Sequence, residues 1–107
     1  MAITNNALSN STAASIFTSA GTHGDAVTTM YFCNTTASQQ TVNVFVVANG
    51  DVADPGLNII YSNVAIAAGD TLVTDMAEKL ILGIGDSIQA NASTSSGIVS
   101  TISTLGI

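Results

Sequence analysis

Thr41-Val42-Asn43-Val44-Phe45-Val46-Val47-Ala48 is a run of alternating phase. Val42, Val44 and Val46 fall on one side of an extended chain, and Asn43, Phe45 and Val47 on the other. Successive side chains of a strand point to opposite faces, so a period of two with β-branched residues on one face reads as a strand against a core. The second face carries Phe45 and Val47, which is apolar for a surface bathed in water, and predicts that something covers it.

The same alternation extends outward in both directions. The chain holds 11 Ile, 9 Val and 14 Thr, residues that suit a pleated, half-buried surface. Clusters of Gly, Asn and Asp cut it at short intervals. Strands are predicted near Ala2–Leu8, Ala14–Ser19, Val27–Asn34, Val42–Ala48, Ile59–Ile66, Thr71–Thr74, Ser87–Ala92 and Ile98–Thr104. In the last two, Ile88, Ala90 and Ala92 alternate with Gln89 and Asn91, and Ile98, Ser100 and Ile102 with Val99, Thr101 and Ser103. Helix is confined to at most a single turn at Asp75–Lys79, where Asp75 and Glu78 have capping-box spacing, the alternative being no helix at all. Such a spacing of short strands predicts an all-β protein: a single antiparallel β-sandwich, jelly-roll or Ig-like, spanning residues 1–107.

The turns have a recurrent chemistry. Gly24-Asp25, Gly50-Asp51, Gly69-Asp70 and Gly85-Asp86 each place a residue able to take positive φ before one that bonds back to the backbone. Asn49–Asn58 is the longest predicted loop and contains the sole proline, Pro55. Thr35–Gln40 is a second loop. Ser93–Gly97 is a third, expected to be exposed and mobile.

Composition excludes several classes of function. Of 107 residues, 47% are hydrophobic and 7% charged, with a net charge of −6 and a single cation, Lys79. Disordered chains have the opposite bias, and a helical bundle needs charged residues on its wet faces. A chain with one cation repels phosphate, so no nucleic acid and no membrane surface is expected as a partner. No apolar run approaches the ~18 residues that span a bilayer. MAITNN has neither a basic n-region nor an h-region, and Cys33 is alone, which fits synthesis in a reducing cytoplasm.

The residues that could carry chemistry do not form a constellation. His23, in Gly-Thr-His-Gly-Asp, has no second His and lies ten positions before the sole Cys, short of a zinc set. Cys33 has no basic neighbour to activate a thiolate. Asp51 and Asp54 flank a loop but lack calcium-loop spacing, and glycine-linked aspartates are more often turn residues. Neither a nucleophile elbow nor a phosphate loop occurs. Asn10, Asn34 and Asn91 open glycosylation triplets that chance explains in so Ser/Thr-rich a chain. No catalytic, cofactor-binding or metal-ligating residue, no small-molecule substrate and no enzymatic activity is predicted.

A small domain stays soluble through surface charge, and this one has little, with mean hydropathy of +0.49. The reading is that other copies or a larger assembly cover apolar surface, with Phe32, Phe45, Val47, Ile3, Leu105 and Ile107 as candidate interface residues. The terminal strands Ala2–Leu8 and Ile98–Ile107 are the expected reach toward a neighbour.

The order of segments resembles small β-sandwich virion proteins of tailed double-stranded DNA bacteriophages. The resemblance is carried by SIFTS, VTTMYFCNTTAS, TVNVFVV, IIYSNVAIAAGDTL, EKLILGIGDSIQANAS and IVSTISTLGI, which cover most of the chain. The sequence departs from it at Gly21–Asp25, where a Pro-Ala-Gly turn is commoner. The resemblance implies a capsid decoration or cement protein, or a neck, tail or fibre component. It implies location in the virion, and association as a homotrimer and with the major capsid protein. The rival expectation is a module binding a host-surface glycan, for which an exposed stacked aromatic pair is the mark.

Overall fold

The computed structural model describes residues 2–10, 12–20 and 22–107, the side chains of residues 75–79 excepted. Its strands are β1 (Ala2–Ala7), β2 (Ala14–Thr18), β3 (Asp25–Asn34), β4 (Gln40–Val47), β5 (Ile59–Ile66), β6 (Thr71–Leu82), β7 (Ser87–Ala92) and β8 (Ile98–Gly106). They form two four-stranded sheets, β1-β8-β3-β6 and β2-β7-β4-β5, antiparallel throughout. The pairings β1·β8, β2·β7, β3·β6 and β4·β5 describe one long hairpin ribbon. Wrapping that ribbon brings β3 beside β8 and β4 beside β7, and closes two packed sheets. This is jelly-roll order, so of the two sandwich topologies expected the chain adopts the first.

Alternation places the core between the sheets. Met30, Phe32 and Asn34 of β3, Ile98, Ser100 and Ile102 of β8, Val42 and Val44 of β4, and Ile88 and Ala90 of β7 are buried. At β2 a register shift between Ser15 and Phe17 lets both Ile16 and Phe17 pack on the core. Where β1 leaves the other sheet, Asn6 Nδ2 donates to the Ile16 carbonyl at 2.9 Å and ties β1 to β2 across the open side.

Of the two expectations for Asp75–Lys79, one helical turn or no helix, the chain takes the second, and β6 runs unbroken from Thr71 to Leu82. Its register jumps instead: Thr29 faces Asp75 but Val27 faces Leu80, so extra residues of β6 bulge out. A single helical turn lacks the bonds to stand alone, and would leave the adjoining β3 main chain unpaired, whereas the bulge keeps the ladder.

β4 obeys the predicted phase with an unforeseen outcome. Its ladder to β7 is regular, pairing Val44 with Ala90, Phe45 with Gln89 and Val47 with Ser87. Phe45 and Val47 therefore stand on the outer face, yet they are 5% and 1% exposed. The chain's own β4–β5 loop folds back: Val52, Ala53 and Pro55 line a groove of about 580 Å³ with Phe45, Gln89 and Asn91. The loop is held by Val46 N–H to the Asn58 carbonyl (3.0 Å), Asp54 N–H to Asn58 Oδ1 (2.9 Å) and Asn58 Nδ2 to the Val52 carbonyl (2.8 Å).

Candidate interface

The two ends of the sandwich differ in chemistry. At one lie the connections at residues 8–13, 35–39, 67–70 and 93–97, built almost wholly from Ser, Thr, Asn, Gln, Ala and Gly. They are joined by uncharged side chains. Asn34, fully buried, donates through Nδ2 to the carbonyls of Ser38 and Ile66, both at 2.9 Å. Its Oδ1 accepts from the Thr36 N–H (2.9 Å) and hydroxyl (2.7 Å). Gln40 Oε1 accepts from the hydroxyls of Ser93 and Thr94, and its Nε2 donates to Thr36 Oγ1 and Ser38 Oγ. Ser93 Oγ also accepts the Thr41 N–H at 2.9 Å, and the Ser96 N–H donates to the Leu8 carbonyl at 2.8 Å. The loop expected to be mobile is thus tethered on both sides. Among the described residues no buried side-chain nitrogen or oxygen lacks a partner.

The opposite end holds the start of β1, the end of β8 and the connections at residues 19–24, 48–58 and 83–86. Asp86 organises it: Oδ1 accepts the Asn49 N–H (2.8 Å), Oδ2 the Gly83 N–H (2.9 Å), and its carbonyl the Ser19 N–H (2.9 Å). The glycine half of the Gly-Asp reading holds at all four sites, since Gly24, Gly50, Gly69 and Gly85 have φ of 99°, 90°, 75° and 88°, while the aspartate half is seen at Asp86, whose carboxylate accepts from the Gly83 N–H of its own turn. At Gly24 glycine is needed twice over, because a Cβ there would collide with the Leu82 carbonyl oxygen.

The outer faces of the two sheets also differ. The β2-β7-β4-β5 sheet carries its own loop. The β1-β8-β3-β6 sheet is bare: Ile3, Tyr31, Val73, Ile81 and Leu105 are all exposed large side chains on it. The register lines them up, Tyr31 opposite Val73 and Thr101, and Ala26 between Leu105 and Ile81. Ile3 lies opposite Ser103 and diagonal to Leu105. Between them stand Thr29, Thr101 and Ser103. Across β1, β8 and β3 the sequence supplies one charged residue, Asp25, which accepts a hydrogen bond from Ser19 Oγ at 2.7 Å. Ile84 and Ile107 extend the exposed apolar surface around the same end.

Half of the predicted interface residues stand where a neighbour can reach them. Ile3, Leu105 and Ile107 are exposed. Phe32, Phe45 and Val47 are not available: Phe32 is in the core and the other two are buried within the single chain. Phe32 lies inward with Met30 on β3. Phe32 shares its phase with Asn34, and a buried asparagine disguises an inward face as an outward one. Tyr31, Val73 and Ile81 were missed. The signal for Tyr31 was its position out of phase with Met30 and Phe32 in an unbroken apolar run.

The other candidates are dispersed. His23 is exposed in the β2–β3 connection, and Cys33 is half-buried on the bare face opposite Thr71 and Val99. Asp54 serves its own turn, its Oδ1 accepting the Gly56 N–H at 2.9 Å. Among the described residues no three His, Cys, Asp or Glu side chains converge as a metal site. Asn34, with both Nδ2 protons engaged, is closed to glycosylation in the folded chain. No family model matches the sequence, and no curated protein or solved structure gives a significant match.

Proposed function

We propose that this chain is a non-enzymatic structural protein of a bacteriophage virion, a capsid decoration or cement protein. Made in the host cytoplasm, it binds neighbouring copies of itself and the major capsid protein and stabilises the shell. The observation that carries this reading is the bare outer face that β1, β8 and β3 present, strands that hold one charged residue among them, Asp25. Neutral hydroxyls and aliphatic groups lose little on desolvation compared with ions, so such a face can be covered at modest cost. The jelly-roll order supports it as well, since that architecture recurs in viral capsids. Fold alone does not settle function, and the surface chemistry is the weightier support.

The glycan-binding alternative asked for an exposed stacked aromatic pair. Among the described residues Tyr31 is the exposed aromatic ring, while Phe32 and Phe45 are buried. Mass spectrometry of purified virus particles from the source of the gene tests the proposal. The chain is expected in stoichiometric amounts with the major capsid protein. Recovery with detached tails alone moves it to the neck, tail or fibre, and absence from particles overturns the reading.

A further inference from the structure

The sandwich has four strand edges, β1 and β6 on one sheet and β2 and β5 on the other. Open edges invite pairing with other chains, and proteins blunt them with bulges, charge or proline. Three of the edges are blunted. β2 shifts register between Ser15 and Phe17. β5 shifts twice, and Asn63 there has φ of 51°. β6 bulges opposite Val27–Thr29 and carries Asp75, Glu78 and Lys79. β1 has no such defence. Its six residues pair with β8 without a break, and Ala-Ile-Thr-Asn-Asn-Ala holds no charge, proline or glycine.

The phase of β1 follows from one bond. The Leu8 N–H donates to the Ile98 carbonyl at 2.9 Å. Alternate residues of an antiparallel strand turn their main-chain groups to the same side. Ala2, Thr4 and Asn6 therefore direct theirs to β8, while Ile3, Asn5 and Ala7 direct theirs away from the molecule. That outward row is symmetric about Asn5. A second copy running antiparallel, centred there, sets Asn5 against its own equivalent and the large Ile3 against the small Ala7. No like charges meet across the two-fold. The Asn5 Oδ1 accepts from Thr101 Oγ1 at 2.8 Å, and its Nδ2 makes no hydrogen bond among the described residues, leaving a donor on the symmetry axis.

We propose that a second copy of this chain docks along β1, edge to edge and antiparallel about Asn5, so that two β1-β8-β3-β6 sheets become one continuous sheet. The proposal deepens the self-association put forward above and rests on it, with two copies in place of the expected three. The bare outer faces of both copies then join into one surface for the shell.

The test is sedimentation equilibrium and light scattering on the full chain at micromolar concentration. The wild type is expected to be a dimer. Of the main-chain groups Asn5→Pro removes only an outward donor, since the main-chain bonds from β1 to β8 come from the other phase; with the exposed Thr101 bond also lost, it is expected to raise the dissociation constant about tenfold or more. Asn5→Lys and Asn5→Asp each place like charges across the axis and are expected to weaken the dimer, while an equimolar mixture of the two restores it. The charge pair carries the test should the proline variant unfold, which circular dichroism reads. A wild-type monomer, a trimer, or a dimer indifferent to all three substitutions overturns the β1 contact. A monomeric chain recovered in virions sinks this contact and leaves the decoration role; a dimer absent from virions does the reverse.

Discussion

Asn34→Asp exchanges an NH₂ group for an oxygen at a fully buried site, and the consequence should depend on pH. Nδ2 lies 2.9 Å from the carbonyl oxygens of both Ser38 and Ile66. An ionised carboxylate in its place meets two acceptors at that distance and loses two hydrogen bonds, each worth about 1 kcal/mol net. It is also a buried charge in a chain with one cation, Lys79. Leaving such a charge uncompensated adds several kcal/mol, so the variant should lose about 4 kcal/mol or more at neutral pH. A protonated carboxyl can still donate to one carbonyl while its other oxygen accepts from Thr36. In acid the loss should shrink to about 1–2 kcal/mol.

The sign follows from proton binding. Unfolded, the new carboxyl titrates near its ordinary value of about 3.9, and folded it holds its proton to higher pH. Between those values the folded state binds more protons, so stability falls as pH rises, by at most about 1.4 kcal/mol per unit. Urea unfolding of wild type and variant across mildly acidic to neutral pH, followed by circular dichroism, gives the difference directly. Asn34→Ala should show a loss of about 2–4 kcal/mol without this slope. A difference between Asn34→Asp and wild type that is flat with pH would refute the assigned Nδ2 bonds.

Other substitutions probe the remaining parts. Phe45→Ala should cost about 3 kcal/mol in urea unfolding while leaving the oligomeric state unchanged, because the ring packs within its own chain. Gly24→Ala should cost more than about 2 kcal/mol, since positive φ and the Leu82 carbonyl both oppose a Cβ; a melting temperature near wild type would contradict the turn. Asp86→Ala should cost about 1–2 kcal/mol and speed hydrogen exchange at the Asn49 and Gly83 amides it now accepts from. Tyr31→Lys, on the bare face, should change stability by less than about 0.5 kcal/mol yet reduce recovery of the chain with purified particles.

Much of the architecture was legible because period-two alternation of β-branched residues is a local signal. Val42, Val44 and Val46 announce an inward face whatever the rest of the chain does. The Gly-Asp dipeptides are local too, and their geometry follows from what glycine and aspartate can do alone. Three things were not legible, each for want of a tertiary partner. Asn34 could be known as inward only once Ser38 and Ile66 were seen to present carbonyls to it. The β6 bulge answers to the needs of the neighbouring β3 ladder, against a capping pattern that favoured a helical turn. The cover over Phe45 is a loop whose direction no periodicity encodes.

That last point changes what the unusual composition implies. With 38 Ser, Thr, Asn and Gln among 107 residues and few charges, the sequence invites the inference that neighbours must hide a neutral exterior. Part of that neutral material is spent inside the molecule. Asn34, Gln40, Ser93 and Thr94 knit the connections at 35–39 and 93–97 to each other and to the end of β5 through uncharged groups, and the greasiest strand is shielded by residues 48–58. The case for partners therefore cannot rest on composition. It rests on what is left after these internal uses: one sheet face with Tyr31, Val73, Ile81 and Leu105 exposed, and one strand edge without a bulge. The two border each other at Ile3. A partner strand on β1 would therefore carry its own sheet face alongside the first, enlarging a surface that neither copy covers by itself.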